Sequence, residues 1–332
     1  MELDNVFFIT KEEYLKGLDT IADKNIYQTK PWIDFLESYV NGKIFYLKII
    51  SNENIIYFYG MLFTLKGIRI FASPYKRWST PYIGFASTSK IVNYSAIIKK
   101  TYVFLKKKLK IHYFRMTDFN SDLNQLKANH IKFDIEEQMY LDLTKSEQEL
   151  LNGFNHGTKK IINKHIKNNT IVEQSKANKE FVEIYYEQLI EVFERQDLKP
   201  FYEKERIYDL FEHFSEYEDN ILCLKAFDSK TKECVGTAIY FGINNFAITF
   251  GSATNSAGRK LGVAHFIRWT AMKYWKEKGA TFFDLGGSNP YKLCFNPIIK
   301  KVPYVYIQAI PGLHFAEKMA VKLIKRKREN RE

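Results

Sequence analysis

Residues 251–269 read GSATNSAGRKLGVAHFIRW. A strand (246–252) ends in this stretch, a loop of small polar residues follows through Gly258, and a helix opens near Gly262 and runs to Glu277. Such a junction collects backbone N–H groups, here those of Gly258 to Ala264, at a helix amino terminus, where unpaired donors and the helix dipole favour an anion. Working outward, 221–227 and 235–242 read as strands around a turn containing Lys230. Asn244-Asn245 turns the chain into 246–252, and a last strand, 280–285, follows the helix. The same order occurs earlier in the chain. Strands 44–50 and 55–65, a Lys66-Gly67 turn, strand 68–72, a loop through Pro74 and Pro81 to Phe85, a helix over 95–109 and a strand over 111–116 repeat it. A period of roughly 160 residues implies an internal duplication.

Helices open each copy: 11–23 and 31–39 in the first, 178–195 and 202–216 in the second. In 178–195 the spacing of Phe181, Ile184, Tyr185, Leu189, Val192 and Phe193 places one apolar stripe against a sheet. Thr144-Lys145-Ser146-Glu147 has the pattern of a helix start and marks the boundary between copies. The expected organisation is α+β (α/β): a first domain over 1–144, a second over 145–312 that carries the anion-binding junction, and a basic helix or tail over 313–332. Each domain is expected to be a mixed, mostly antiparallel sheet flanked by helices.

Composition narrows the class of function. The chain has 332 residues, 45% of them hydrophobic, with 27 Phe and 22 Tyr, enough to bury a large core. Its 50 basic and 38 acidic residues give a formal charge of +12, which favours an anionic partner such as a nucleic acid, a phosphorylated substrate or a membrane surface. Cys223, Cys234 and Cys294 lack CxxC spacing, which fits a reducing compartment and argues against a disulfide scaffold. The seven histidines show no HExxH or paired ligand spacing, so no metal is expected. No G-x-S-x-G elbow or P-loop is present. Neither a secretion signal at the start nor a long apolar run is seen, so the expected location is cytoplasmic. Residues 318–332 hold seven basic and two acidic residues, and with Phe315, Met319, Leu323 and Ile324 they form a partly amphipathic pattern that allows peripheral contact with an anionic membrane at its inner face.

A second motif follows the helix. Residues 282–295 read FFDLGGSNPYKLCF, in which a strand delivers Asp284 into a Gly286-Gly287 turn, with Tyr291 and Lys292 shortly after. The turn permits positive φ or close approach of a ligand. This run resembles the closing D-x-G-G … (F/Y)-K-x-x-F signature of the Fem-type peptidoglycan aminoacyltransferases and related GNAT acyltransferases. Arg259, Gly262 and Ala264, as R-x-x-G-x-A, are similar to the pyrophosphate-binding loop of coenzyme A-dependent GNAT enzymes. Thr80-Pro81-Tyr82-Ile83-Gly84-Phe85 is similar to a P-x-x-G element of the first Fem domain, and NHGTKKIINKHIK (155–167) to the basic helix that opens the second half. The resemblance spans residues 28 to 310.

The resemblance implies two tandem GNAT-like domains and an acyltransferase. Lys292 would lie beside acyl donor and acceptor, where a cation stabilises developing charge. Asp284 and Tyr291 would be its catalytic partners in proton transfer, or Asp284 would orient the glycine turn. Gly258, Arg259, Gly262 and Ala264 would bind the donor; Lys159, Lys160, Lys164, Gly286 and Gly287 would bind substrate. After Trp32 the chain reads Ile33-Asp34-Phe35-Leu36-Glu37, without the basic residue that such enzymes place there for a muramyl-pentapeptide. The Arg259 loop is more typical of coenzyme A users.

The expected reaction is therefore amide formation between an activated acyl group, carried by acyl-CoA, and an amine on a cell-envelope glycan, nucleotide sugar or related precursor, with no metal. An aminoacyl-tRNA-dependent transfer to a peptidoglycan precursor is the alternative within enzymes, with transfer RNA as a partner. Outside enzymes, the alternative is a nucleic-acid or membrane-surface binding protein on a degenerate GNAT scaffold. Acyl group and oligomeric state are left open.

Overall fold

Two runs of antiparallel strands, each closed by one parallel and one antiparallel neighbour, organise the chain. The structure, a computed structural model, describes residues 5–39, 42–51, 54–75 and 80–329. In chain order the first half contributes β1 (Val6–Ile9), α1 (Lys11–Leu18), α2 (Lys30–Tyr39), β2 (Lys43–Ser51), β3 (Asn54–Leu65), β4 (Ile68–Ser73), β5 (Ala86–Ser87), α3 (Tyr94–Leu109), β6 (Tyr113–Thr117), α4 (Leu123–Ala128) and β7 (Phe133–Asp142). The second contributes α5 (Glu147–Gly153), α6 (His156–Lys167), β8 (Val172–Ser175), α7 (Lys179–Glu194), α8 (Lys204–His213), β9 (Ile221–Phe227), β10 (Cys234–Ile243), β11 (Phe246–Thr254), α9 (Ser256–Leu261), α10 (Val263–Glu277), β12 (Phe282–Gly287), β13 (Ile298–Gln308) and α11 (Leu313–Glu329).

The chain divides into two units, one of residues 1–137 with 301–326, the other of residues 138–300 with 327–332. In the first, β1 to β4 pair antiparallel in sequence order, β6 joins β4 in parallel, and β13 joins β6 antiparallel. In the second, β8 to β11 pair antiparallel in sequence order, β12 joins β11 in parallel, and β7 joins β12 antiparallel. The duplication read in the sequence is thus a repeated sheet order, and each sheet is mixed and mostly antiparallel.

The division differs from the expected boundaries at 144 and 312. β7 precedes the second copy in sequence, yet Gln138 to Asp142 pair with β12, so the second sheet begins upstream of the helix start at Ser146. Tyr304 to Gln308 of β13 pair with β6, and α11 accompanies that strand instead of forming a separate tail. Ladder hydrogen bonds made across large sequence separations decide both memberships, and they leave no local signal. The strands β1, β5, β7, β8 and β13 have no counterpart in the expected order.

Burial follows the pattern. In the second unit Val263, Ile267, Ala271, Met272 and Trp275 of α10 are buried and share a core with Leu222, Leu224, Tyr240 and Phe283 of the sheet, the stripe of a helix packed on one face. The first unit encloses Leu47, Ile49, Phe58, Phe71 and Phe114 beneath Ile97, Ile98 and Leu105 of α3. Of the expected stripe of α7, Phe181, Tyr185 and Leu189 are buried and Ile184, Val192 and Phe193 half-buried, while Val182 and Gln188 are buried beside them.

Candidate functional site

β12 carries Asp284, 1% exposed, toward the end of the sheet. Opposite β7 the register shifts between Asp284, which faces Tyr140, and Gly286, which faces Met139. Gly286 takes φ of +84°, a conformation favouring glycine at a bulge. The Asp284 Oδ1 accepts the Gly286 N–H at 2.6 Å, so this carboxylate shapes the turn. A 3-10 turn, Pro290–Phe295, follows, with the Asn289 side chain accepting the Tyr291 N–H at 3.0 Å.

That turn brings Lys292 back over the glycines. Its Nζ donates to the Gly287 carbonyl at 2.8 Å, and a Cβ at Gly286 would stand 3.2 Å from the same nitrogen. A side chain there would crowd the ammonium by a few tenths of an ångström. Burial, reinforced by the Arg268 guanidinium and opposed by Asp284, pushes the Lys292 ammonium down to about 8.

Arg268 lies on α10 and is 5% exposed. Its Nη1 donates to the Tyr291 hydroxyl at 3.1 Å, and the guanidinium stands 5.5 Å from the Tyr291 ring centre and 5.2 Å from that of Phe295. Its Nε and the Tyr240 hydroxyl on β10 are buried without a hydrogen-bond partner. Among the described residues no carboxylate forms an ion pair with Arg268. A buried cation is ordinarily paired, so this one is chemically incomplete. The Gln138 Oε1 is likewise buried without a partner, on the residue of β7 that faces Gly287.

His265 and Cys294 sit beside this group, the Sγ and Nδ1 being 3.8 Å apart. Burial, then Arg268, pushes the imidazole down to about 4, and burial pushes the Cys294 thiol up. A neutral imidazole beside a protonated thiol is the opposite of an activated thiolate pair.

The structure therefore gathers five expected residues, Asp284, Gly286, Gly287, Tyr291 and Lys292, around one turn. The remaining expected residues lie on other elements. Lys159 is held by Asn152 at 2.6 Å, while Lys160 and Lys164 are exposed. The face that α6 turns inward carries Thr158, Ile162 and His165, with the His165 Nε2 3.0 Å from the Leu261 carbonyl oxygen.

The expected polar loop around Gly258 is instead the helix α9. Asn255 caps it, accepting the Gly258 N–H at 2.9 Å. The Arg259 N–H donates to the Asn255 carbonyl and the Gly262 N–H to the Arg259 carbonyl, both at 3.0 Å. Three N–H groups expected to face an anion are thus spent within the helix. Gly258 is there for packing: a Cβ would stand 2.0 Å from the Val235 carbonyl oxygen. Gly262, at φ of +70°, ends α9 and starts α10. Arg259 is exposed and Ala264 half-buried in the first turn of α10.

Arg268, Tyr240 and Gln138 were missed by sequence reasoning. One signal was present for Arg268: it stands four and seven residues before Met272 and Trp275, in the buried stripe of its helix, where an arginine is out of place.

No family model matches this sequence, and no curated protein matches it. Among solved structures the chain is similar to FemX, with a TM-score of 0.67 and 13% identity over 92% of this chain and 97% of that one. It is similar to a conserved protein of unknown function from Bacteroides thetaiotaomicron VPI-5482, with a TM-score of 0.60 and 10% identity over 91% of this chain and 99% of that one. A tandem GNAT protein from the clavulanic acid biosynthesis pathway matches with a TM-score of 0.50 and 11% identity, over 92% of this chain and 99% of that one. At these identities the likeness establishes the fold, a Fem-like tandem GNAT arrangement.

Proposed function

We propose that this protein is an acyltransferase that joins an activated acyl group to an amine at the Gly286-Gly287 turn. The fold supports the class, and one observation carries the placement: Lys292 and the unpaired, buried Arg268 set two cations around a single turn, with Asp284 the carboxylate that acts on Lys292. Such a surplus of positive charge suits a reaction in which negative charge develops on a carbonyl oxygen.

In the proposed reaction the neutral amine attacks the acyl carbonyl carbon, the bond from that carbon to the donor's sulfur or oxygen breaks, and the amine proton passes to solvent. Lys292 stabilises the oxyanion. Tyr291 accepts from Arg268, which leaves its own O–H proton as a donor toward the reacting groups. Asp284 is a positioning residue, holding the turn through the Gly286 N–H. Alignment of the reactants supplies much of the remaining rate.

The donor we propose is an acyl-CoA thioester, with Arg259 and the first turn of α10 taking its pyrophosphate; the R-x-x-G-x-A pattern and the fold of the tandem GNAT protein support this. A second reading, an aminoacyl-tRNA donor, is favoured by the helical form of α9, which consumes N–H groups that a pyrophosphate would need, and by the +12 charge. The acceptor is the amine of an anionic precursor, a cell-envelope glycan or nucleotide sugar, whose charge matches Arg268. Thiol release from acyl-CoA in the presence of amino-sugar nucleotides, run beside transfer from charged transfer RNA, separates the donors. Transfer from neither class would overturn the proposal.

A further inference from the structure

α11 closes the described chain with an apolar face left open to solvent. Phe315, Met319 and Leu323 follow one another at four-residue intervals and are 69%, 42% and 52% exposed, so they stack along one side of the helix. Exposed apolar residues in such a row are unusual on a soluble surface. The helix is nevertheless anchored. The His314 Nε2 lies 2.8 Å from Asp134 Oδ2, and its ring stacks 3.5 Å from that of Tyr306. Glu317 accepts from Arg115 and from the Tyr113 hydroxyl, and the Lys318 Nζ donates to Asp134 at 2.8 Å. These contacts hold the first turns on the first unit and keep the Phe315 face outward.

Between its two glutamates the helix carries charge of one sign. With Lys318 held by Asp134, Lys322, Lys325, Arg326, Lys327 and Arg328 follow before Glu329 with no acid among them. The segment just before α11 adds apolar surface: Ala309 and Pro311 line a groove of about 560 Å³ whose other walls include Tyr102, Val103 and Ile131, with Lys99 and Lys132 at its edge. Ile310 is 44% exposed. No described helix is long and apolar enough to cross a membrane.

An apolar stripe flanked by cations and fixed on a folded body is what lies flat in the headgroup region of an anionic bilayer, the rings and thioether entering the acyl boundary and the lysines meeting phosphates. A protein partner would call for acidic complementarity to every one of these cations, which a lipid surface offers without a specific fit. We infer that α11 is a membrane-surface helix that docks the first unit on anionic lipid. The inference goes beyond the acyl-transfer reading and stands without it.

Co-sedimentation of the full chain with vesicles tests it, using phosphatidylcholine alone or mixed with phosphatidylglycerol. The wild type is expected to bind the mixed vesicles at least ~tenfold more strongly than the neutral ones and to be released by salt. Combining Phe315→Ser, Met319→Ser and Leu323→Ser is expected to weaken binding ~tenfold or more with the melting temperature unchanged, because all three side chains already face solvent. The single exposed change Lys322→Glu is expected to weaken it without touching the fold. Equal binding to both vesicle types, or triple and Lys322→Glu variants that bind like the wild type, would overturn the inference. So would a concentration-dependent dimer, formed without lipid and lost in the triple variant, which would assign the face to a second copy of the chain.

Discussion

The Lys292 Nζ and the Gly287 carbonyl oxygen are 2.8 Å apart. The contact folds an ammonium back onto the turn that ends β12, and the missing side chain of Gly286 makes room for it. A lysine placed only for solubility would extend into water. This one is drawn in, beside a buried arginine, where burial penalises its charge.

Lys292→Ala is accordingly expected to lower kcat by ~10²–10³, the scale of losing one electrostatic stabiliser. Its melting temperature should be no lower than the wild type's, while the exposed Lys107→Ala on α3 should change neither quantity. Turnover of Lys292→Ala equal to wild type would remove the catalytic role.

The rate should depend on pH through the same group. With the ammonium pushed down to about 8, activity that needs the charged form is full below that pH and declines as pH rises through it. Stability moves the other way. The folded chain releases this proton near 8 and the unfolded chain near 10.5, so the unfolded state holds more protons between these values and the folded state gains stability as pH rises. A pH–rate profile flat from 7 to 10 would contradict the first expectation. A wild-type melting temperature that gains nothing on Lys292→Met across that window would contradict the second.

Arg268→Met removes a buried charge that has no carboxylate partner among the described residues. Because burying an unpaired cation is unfavourable, and Met preserves much of the volume, the variant should melt no lower than the wild type. Turnover should fall, and the pH at which any residual activity declines should move upward, since Arg268 holds the Lys292 ammonium down. Loss of folding together with activity would instead make Arg268 a structural residue.

Gly258→Ala places a Cβ 2.0 Å from the Val235 carbonyl oxygen, and backbone cannot yield as a flexible side chain does. A loss of about 2–4 kcal/mol in the stability of the second unit is expected in denaturant unfolding. Gly153→Ala on α5, with nothing within 4 Å, should be neutral or stabilising by up to about 1 kcal/mol. A Gly258→Ala variant as stable as the wild type would mean that α9 does not pack on β10 as described.

The strands β2, β3, β4, β9, β10 and β11, the helices α3, α7 and α10, and the repeated order that joins them were legible in the sequence. Each is specified locally, by apolar alternation or an apolar stripe of period near 3.6, and by turns such as Lys66-Gly67 and Asn244-Asn245. The run from Asp284 to Lys292 was legible for the same reason, since a bulge, a capped 3-10 turn and a lysine within five residues of its acceptor are all short-range features. Asn255 could have been read as a cap. Its Asn-x-x-Gly setting looked like a loop because glycine usually breaks a helix, whereas Gly258 is helical and is selected by the Val235 carbonyl on another element.

Only the tertiary structure decided the rest. The places of β7 and β13 depend on ladder bonds between residues more than a hundred positions apart, and no local pattern encodes a partner at that distance. Arg268 became part of the site because α10, β10 and the 290–295 turn enclose its guanidinium with Tyr291 and Phe295 and provide no carboxylate. In sequence it is one of 50 basic residues; burial is what makes its charge felt by Lys292 and His265, by raising the cost of leaving that charge uncompensated.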